Sequence, residues 1–228
     1  MSATVPHARR PTTSGSGRSA LTGRGVALIL AAGSGHRLGL GPKALLPWED
    51  SVLVVRAVRV AVAAGLRPVV TAGPGRSEIE ARLAEAGLGD VAVIDVPDAE
   101  VGMSASWRAG IAAIGREAGT TSATPVLVML VDQPGIGRAV LDRLIGAFDP
   151  GRIARAAWLG FPGHPVLLPL DHARAAVRRA CGDEAGRAWL RGHAHLVDLV
   201  ECSDLGDASD IDTPDDLRAW REREPTNR

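Results

Sequence analysis

Lys43 closes the run Gly33-Ser34-Gly35-His36-Arg37-Leu38-Gly39-Leu40-Gly41-Pro42-Lys43, which follows an apolar stretch and combines glycines with fixed positive charge. Glycines let the backbone adopt positive φ and bring amide N–H groups close to an anion without side-chain obstruction. Such a loop, with Arg37 and Lys43 beside it, is suited to cradling phosphate groups. It is not a Walker A loop, which requires Ser or Thr after the lysine where Ala44 stands, and a GxGxxG fingerprint fails at Leu38. The alternative is a glycine-rich turn ending in a solvated lysine. Composition bears on the choice, because Lys43 is the single lysine among 26 basic residues. A compact ammonium on a flexible stem, able to follow a phosphate through reaction, is a reason to keep lysine where arginine is otherwise used.

Carboxylates supply a second chemistry. Asp132 ends the apolar run VLVMLVD and precedes Gln133-Pro134. There it could hold Mg²⁺ against triphosphate oxygens, since magnesium takes oxygen ligands; it could equally be a loop or helix-capping aspartate. Near the C-terminus, in SDIDTPDDL, Thr213 reads as a helix cap with Pro214 in the first turn and Asp215 and Asp216 favoured by the positive helix end. That reading leaves Asp210 and Asp212, which precede the cap, without a role. Gly102-Met103-Ser104-Ala105-Ser106 reads by itself as a capped helix start, and His164 in GHPVLL as a packing or turn histidine.

Strand-sized apolar runs at 26–32, 66–73, 91–96, 125–132 and 195–200 position these residues. Segments of helical period at 51–64, 77–87, 104–118, 137–148, 171–180, 184–192 and 213–222 separate the runs. Continuous apolar character predicts strands covered on both faces, and the alternation predicts an α/β fold with a doubly wound, mostly parallel, Rossmann-like sheet. In such sheets ligands bind where the loops converge at the strands' carboxyl ends. Residues 150–170 break the rhythm and predict a small β insertion or hairpin at the sheet's open edge.

At 228 residues with 46% apolar content, the chain has enough material for one well-buried domain, expected over 26–222. Residues 1–25 lack the apolar segment of a secretory signal and read as a disordered tail or a start-site artefact, and 223–228 as a short tail. Zero formal charge argues against nucleic-acid or membrane-surface binding and for a small ligand. The two cysteines, Cys181 and Cys202, have no metal or CxxC spacing, which suits a reducing cytoplasm.

LILAAGSGHRLGLGPKALLPW resembles the L-A-[AG]-G-x-x-x-R-[ML]-G-x-x-K-x-L-L opening of the MobA-like nucleotidyltransferases, and within them the molybdenum cofactor cytidylyltransferase branch. The likeness continues through GMSASWRAG, VDQPG, GHPVLL, CGDEAGR and SDIDTPDDL, in family order, over residues 26–220. It implies a nucleotidyltransferase fold and transfer of a nucleoside monophosphate to a phosphorylated acceptor. It implies phosphate-contacting, catalytic roles for Arg37 and Lys43, a catalytic and Mg²⁺-binding role for Asp132, and a second metal or acceptor-side role for Asp212, with Asp210 as its rival. Leu30, Ala31, Ala32, Gly33, Ser34, Gly35, Gly73, Gly102, Ser104 and Ser106 would line the nucleotide, and Gly163, His164, Asp183 and Asp210 the acceptor.

The Ala31-Ala32 pair resembles the CTP-using branch. CTP and molybdenum-carrying molybdopterin are therefore the implied substrates, with a molybdoenzyme as a possible partner. The alternatives are a GTP-using or sugar- or polyol-phosphate transferase, an NAD(P)H-dependent oxidoreductase on the same fold, and a non-catalytic maturation partner of a molybdoenzyme. Three departures stand out: three residues separate Gly39 from Lys43 where the family has two, and Val96 and Ala99 replace the family's asparagine and aromatic.

Overall fold

The computed structural model describes residues 25–35, 38–180, 182 and 186–222, so Arg37, Asp183 and both expected tails (all but Gly25 of the first) lie outside the described residues. In chain order the principal elements are β1 (Val26–Leu30), a 3-10 turn (Lys43–Leu45), β2 (Pro47–Trp48), β3 (Ser51–Val52), α1 (Leu53–Ala63), β4 (Arg67–Ala72), α2 (Arg76–Glu85) and β5 (Ala92–Asp95). There follow α3 (Met103–Arg116), β6 (Pro125–Leu130), α4 (Arg138–Ala147), β7 (Ile153–Trp158) and β8 (Phe161–Pro169). The last are α5 (Leu170–Arg178), α6 (Arg187–Gly192), β9 (Val197–Glu201) and α7 (Pro214–Glu222).

Seven strands form one sheet in the order β5-β4-β1-β6-β8-β7-β9, mostly parallel, with helices on both faces, and β2–β3 form a separate two-stranded antiparallel sheet. β1 pairs in parallel with β4 on one side and β6 on the other. The chain therefore winds outward from β1 through β4 to β5, then crosses back to β6. That reversal is the topological switch at which open α/β sheets leave a crevice beyond the strand ends. The expected hairpin over 150–170 forms as β7–β8. β8 pairs antiparallel with β6, so the hairpin extends the sheet in its own plane, and β9 then joins β7 in parallel.

Burial explains why the apolar runs are continuous. In β6, Leu127 and Met129 face a core built with α1, α2 and α4, while Val126, Val128 and Leu130 face one built with α3, α5 and α6. Helix boundaries fall close to the expected ones. The exception is the start of the 51–64 segment, where Ser51 and Val52 pair antiparallel with Trp48 and Pro47 before the helix begins.

α3 crosses β1 closely because Gly110 has no side chain: a Cβ there would lie 2.4 Å from Leu28 Cδ1. Two loops at the carboxyl edge are stitched to each other. Gln133, buried after β6, donates from Nε2 to Ala208 O at 3.0 Å and to Asp210 Oδ1 at 2.9 Å. Ile211 N donates to Asp132 O at 2.9 Å, and Gly135 meets the chain at Asp207 so closely that a Cβ would lie 2.2 Å from Asp207 O.

Two stability changes follow. Gly110→Ala should cost about 1–3 kcal/mol, the scale of overpacking a filled contact, as read by urea unfolding. Gln133→Leu leaves two acceptors without their donor and should cost about 1–3 kcal/mol. An unchanged midpoint for Gln133→Leu would mean that the two loops hold their arrangement without it.

Candidate active site

The glycine loop leaves β1 and folds back on itself. Leu38 N and Gly39 N both donate to Gly35 O, at 2.9 and 3.1 Å, and Lys43 N donates to Gly33 O at 3.3 Å. Gly35 has φ +65°, and a Cβ on it would sit 2.0 Å from Gly41 O, so no other residue fits there. The additional residue before Lys43 is absorbed in a turn in which Gly39 and Gly41 have φ of +66° and +83° and Leu40 faces solvent. The loop's far end rests on the segment after β4: a Cβ on Gly75 would meet Pro42 Cγ at 2.9 Å.

This fold-back delivers the Lys43 ammonium to the switch point. Its Nζ donates to Asp132 Oδ2 at 2.6 Å and to Asp212 Oδ1 at 2.5 Å, and the Lys43 side chain is 13% exposed. Burial alone would pull the lysine's pKa down, but the charge and hydrogen bonds of Asp132, joined by those of Asp212, outweigh it, and the net shift is upward. The ammonium form is therefore firmly held. Asp212 is itself fixed by the helix start after it. Asp216 Oδ2 accepts from Asp212 N at 3.1 Å and from Thr213 N and Oγ1, each at 2.8 Å, while Asp216 N donates to Thr213 Oγ1. This is a capping box with aspartate as its acid, and these hydrogen bonds, led by that from the Thr213 side chain, lower the Asp216 pKa.

Asp210 stands beside this pair. Although the residue as a whole is exposed, its carboxyl lies on the protein side; desolvation first, and then the negative charge of Asp132, raises its pKa despite the hydrogen bond from Gln133.

The remaining predicted nucleotide residues ring the same edge. Leu30, Ala31 and Ala32 are buried at the end of β1, and Gly33 is exposed. Gly73 packs between Ala32 and Ala99, with room for no Cβ: one would lie 2.8 Å from Ala99 Cβ. Gly102, at φ 112°, caps α3, whose Ser104 and Ser106 are both buried; Ser104 Oγ has no partner among the described residues. Gly163 and His164 lie across the sheet on β8. There Gly163 meets Trp158 so closely that a Cβ would lie 2.6 Å from its Cδ1. Lys43, Asp132 and Asp212 thus come together, Asp210 adjoins them, and Gly163 and His164 stand apart on the far side of β6. Sequence reasoning passed over Gln133, whose amide in a buried strand end was the available signal, and Arg155, a cation interrupting the apolar strand IARAAW.

Two carboxylates converging on one point fit a divalent cation with oxygen preference. Among the described residues, no three His, Cys, Asp or Glu side chains gather closely enough to hold an ion by themselves. A pair is the usual protein contribution for magnesium, which takes its other ligands from phosphates and water. Asp132 and Asp212 would hold the ion.

Residues 27–198 match the model of the MobA-like NTP transferase domain. The chain is 35% identical to nicotine blue oxidoreductase of Paenarthrobacter nicotinovorans, over 83% of this chain and 93% of that protein. It is 26% identical to molybdenum cofactor cytidylyltransferase of Escherichia coli K12, over 86% and 95%. The crystal structure of Rv0371C of Mycobacterium tuberculosis H37Rv in complex with manganese superposes with a TM-score of 0.69 at 25% identity, covering 88% of this chain and 100% of that one. Together with a glycine loop and carboxylates meeting at the β1–β6 switch, these matches establish that the chain belongs to the MobA-like NTP transferase domain family.

Proposed function

We propose that the protein is a divalent-metal-dependent cytidylyltransferase that transfers CMP from CTP to a phosphorylated acceptor, with molybdenum-carrying molybdopterin the favoured one, in the cytoplasm. The observation that carries the reading is the Lys43 ammonium held between Asp132 and Asp212 at the mouth of the glycine loop. The resemblance of Ala31-Ala32 to the CTP-using branch and the similarity to the Escherichia coli cytidylyltransferase support the choice of base and acceptor.

In this reaction an acceptor phosphate oxygen attacks the α-phosphorus of the triphosphate, the α–β bridging bond breaks, and pyrophosphate leaves with that bond's electron pair. Catalysis rests on positioning and on charge placed where negative charge develops, with no covalent enzyme intermediate. The backbone amides of Gly33–Gly35 would cradle the triphosphate. Lys43, by turning from the carboxylates to the phosphate oxygens, would neutralise the departing pyrophosphate and free Asp132 and Asp212 for the ion. A bound divalent cation supplies further charge neutralisation at the triphosphate. In the resting site Lys43 is an ammonium, its pKa pulled down by burial but raised on balance by Asp132 and Asp212. Arg37 would add a second phosphate contact.

A second reading, an NAD(P)H-dependent oxidoreductase, is favoured by one observation, the 35% identity to nicotine blue oxidoreductase. The absence of a dinucleotide fingerprint after β1 weighs against it.

Thermal-shift measurements with CTP, GTP, ATP, UTP and NADPH, each with and without Mg²⁺, separate the two. Magnesium-dependent stabilisation by CTP is expected, reaching about 2.7 kcal/mol at a hundredfold excess over Kd. A response to NADPH alone would sink the transferase reading. Lys43→Ala should lower turnover roughly a hundredfold, the scale of losing one preorganised electrostatic group; unchanged turnover would remove Lys43 from the mechanism.

A further inference from the structure

The three charged side chains of the centre come from three segments, and each segment runs on, a few residues later, into a second cluster. Trp48, in β2, follows Lys43; Gly135 and Ile136 follow Asp132; Trp220, in α7, follows Asp212. The Trp48 and Trp220 rings meet edge to face, with centroids 5.8 Å apart and planes at 65°. Gly135 lies against the second indole so closely that a Cβ on it would sit 2.7 Å from Trp220 Cη2. Arg56 of α1 closes the circuit: its Cζ lies over the Trp48 ring, 5.6 Å from the centroid, and its Nη1 donates to Ile136 O at 3.1 Å.

Each of these contacts has a demanding geometry. Indole pairs favour an edge-to-face arrangement because the positive edge of one ring meets the negative face of the other. A guanidinium is planar, so it can lie over an indole face while an in-plane N–H reaches a carbonyl; a lysine ammonium makes no such fixed pair of contacts. Arg56 is half-buried, and burial lowers its pKa against the charge of Glu49. Only glycine at position 135 admits the Trp220 ring.

Gln133 and Ile211 N join the two acidic loops to each other. The Lys43 segment is joined to them in two other ways. One is its own ammonium, a tie that the proposed reaction breaks when Lys43 turns to the phosphates. The other is the cluster of Trp48, Trp220 and Arg56, which that reaction leaves in place. A misplacement of about 1 Å can cost roughly a hundredfold in rate, so a tie that outlasts the lysine's departure bears on the chemistry.

We propose that Trp48, Trp220 and Arg56 form a brace that keeps the Lys43 segment in register with the Asp132 and Asp212 loops while Lys43 exchanges carboxylates for phosphate oxygens. Trp220 and Arg56 are then positioning residues, acting through the segments they join. The proposal rests on the transferase reading for that exchange.

Lys43, the chain's single lysine, supplies the only lysine signals of full-length protein labelled with ¹³C,¹⁵N-lysine. These are followed by NMR as CTP, GTP, ATP or UTP is added with Mg²⁺ to wild type, Trp220→Phe, Trp220→Ala and Arg56→Met. Without nucleotide, all four proteins should give the wild-type signal. With the triphosphate that binds, the wild-type signal moves to one new sharp position, and Trp220→Phe, which keeps a ring, follows it. In Trp220→Ala and Arg56→Met the bound-state signal is broadened or split, and the apparent affinity is at least tenfold weaker. If Trp220→Ala does not fold, Arg56→Met against Trp220→Phe carries the comparison. Bound-state signals and affinities equal to wild type in Trp220→Ala and Arg56→Met would overturn the brace and leave the transferase reading standing. So would signals already displaced in both variants without nucleotide, which would make the cluster a support of the resting fold alone. A wild-type signal that no magnesium triphosphate moves would remove the transferase reading, and the brace with it.

Discussion

One ammonium joins three distant parts of the chain. Lys43 is 89 residues from Asp132 and 169 from Asp212, and it bonds both carboxylates in a place largely screened from water. Two carboxylates this close repel each other strongly unless a cation lies between them. Local structure is arranged so that this cation arrives. Gly35 lets the loop fold onto Gly41, Lys43 N ties back to Gly33, the strand β6 carries Asp132 to the edge, and the capping box before α7 fixes Asp212. The same point is the topological switch of the sheet, so the charge centre and the ligand crevice coincide.

The centre has two uses from one geometry. In the protein alone, Lys43 offsets one of the two carboxylate charges and holds the loop, β6 and the C-terminal segment in register. With a triphosphate, on the proposed reading, the same lysine would have phosphate oxygens as competing partners and the same carboxylates would have an ion. A resting site of this kind is preorganised, because its lysine and carboxylates are already in place before substrate binds. Gln133 and the close approach of Gly135 to Asp207 hold the two acidic loops at a fixed separation, which an exchange of partners requires.

Much of this was legible in the sequence because each element carries a local signal. Continuous apolar runs marked β1, β4 and β6, and the Thr213-Pro214 start of α7 was readable from capping chemistry alone. The grouping of Lys43, Asp132 and Asp212 was suggested by family resemblance, since no spacing rule connects residues so far apart; that Lys43 bonds both acids depends on the fold-back of the loop. The additional residue before Lys43, an irregularity in the motif, is taken up by positive φ at Gly39 and Gly41. Ser51 and Val52 read as helix because a two-residue strand is too short to show a period, and the pairing with Pro47 and Trp48 is a tertiary outcome. That Arg155 has no carboxylate partner among the described residues was equally hidden, because whether a strand arginine finds an acid depends on register and on neighbouring strands.

On the proposed reading Asp132 and Asp212, released by Lys43, hold a divalent ion against a bound triphosphate. Electron paramagnetic resonance of Mn²⁺ tests it directly, by the loss of the free aquo-ion signal in the presence of protein with and without CTP. Strong sequestration of Mn²⁺ is expected for wild-type protein with CTP, beyond that of CTP alone, with its loss in Asp132→Asn. Equal sequestration by wild type and Asp132→Asn would contradict it.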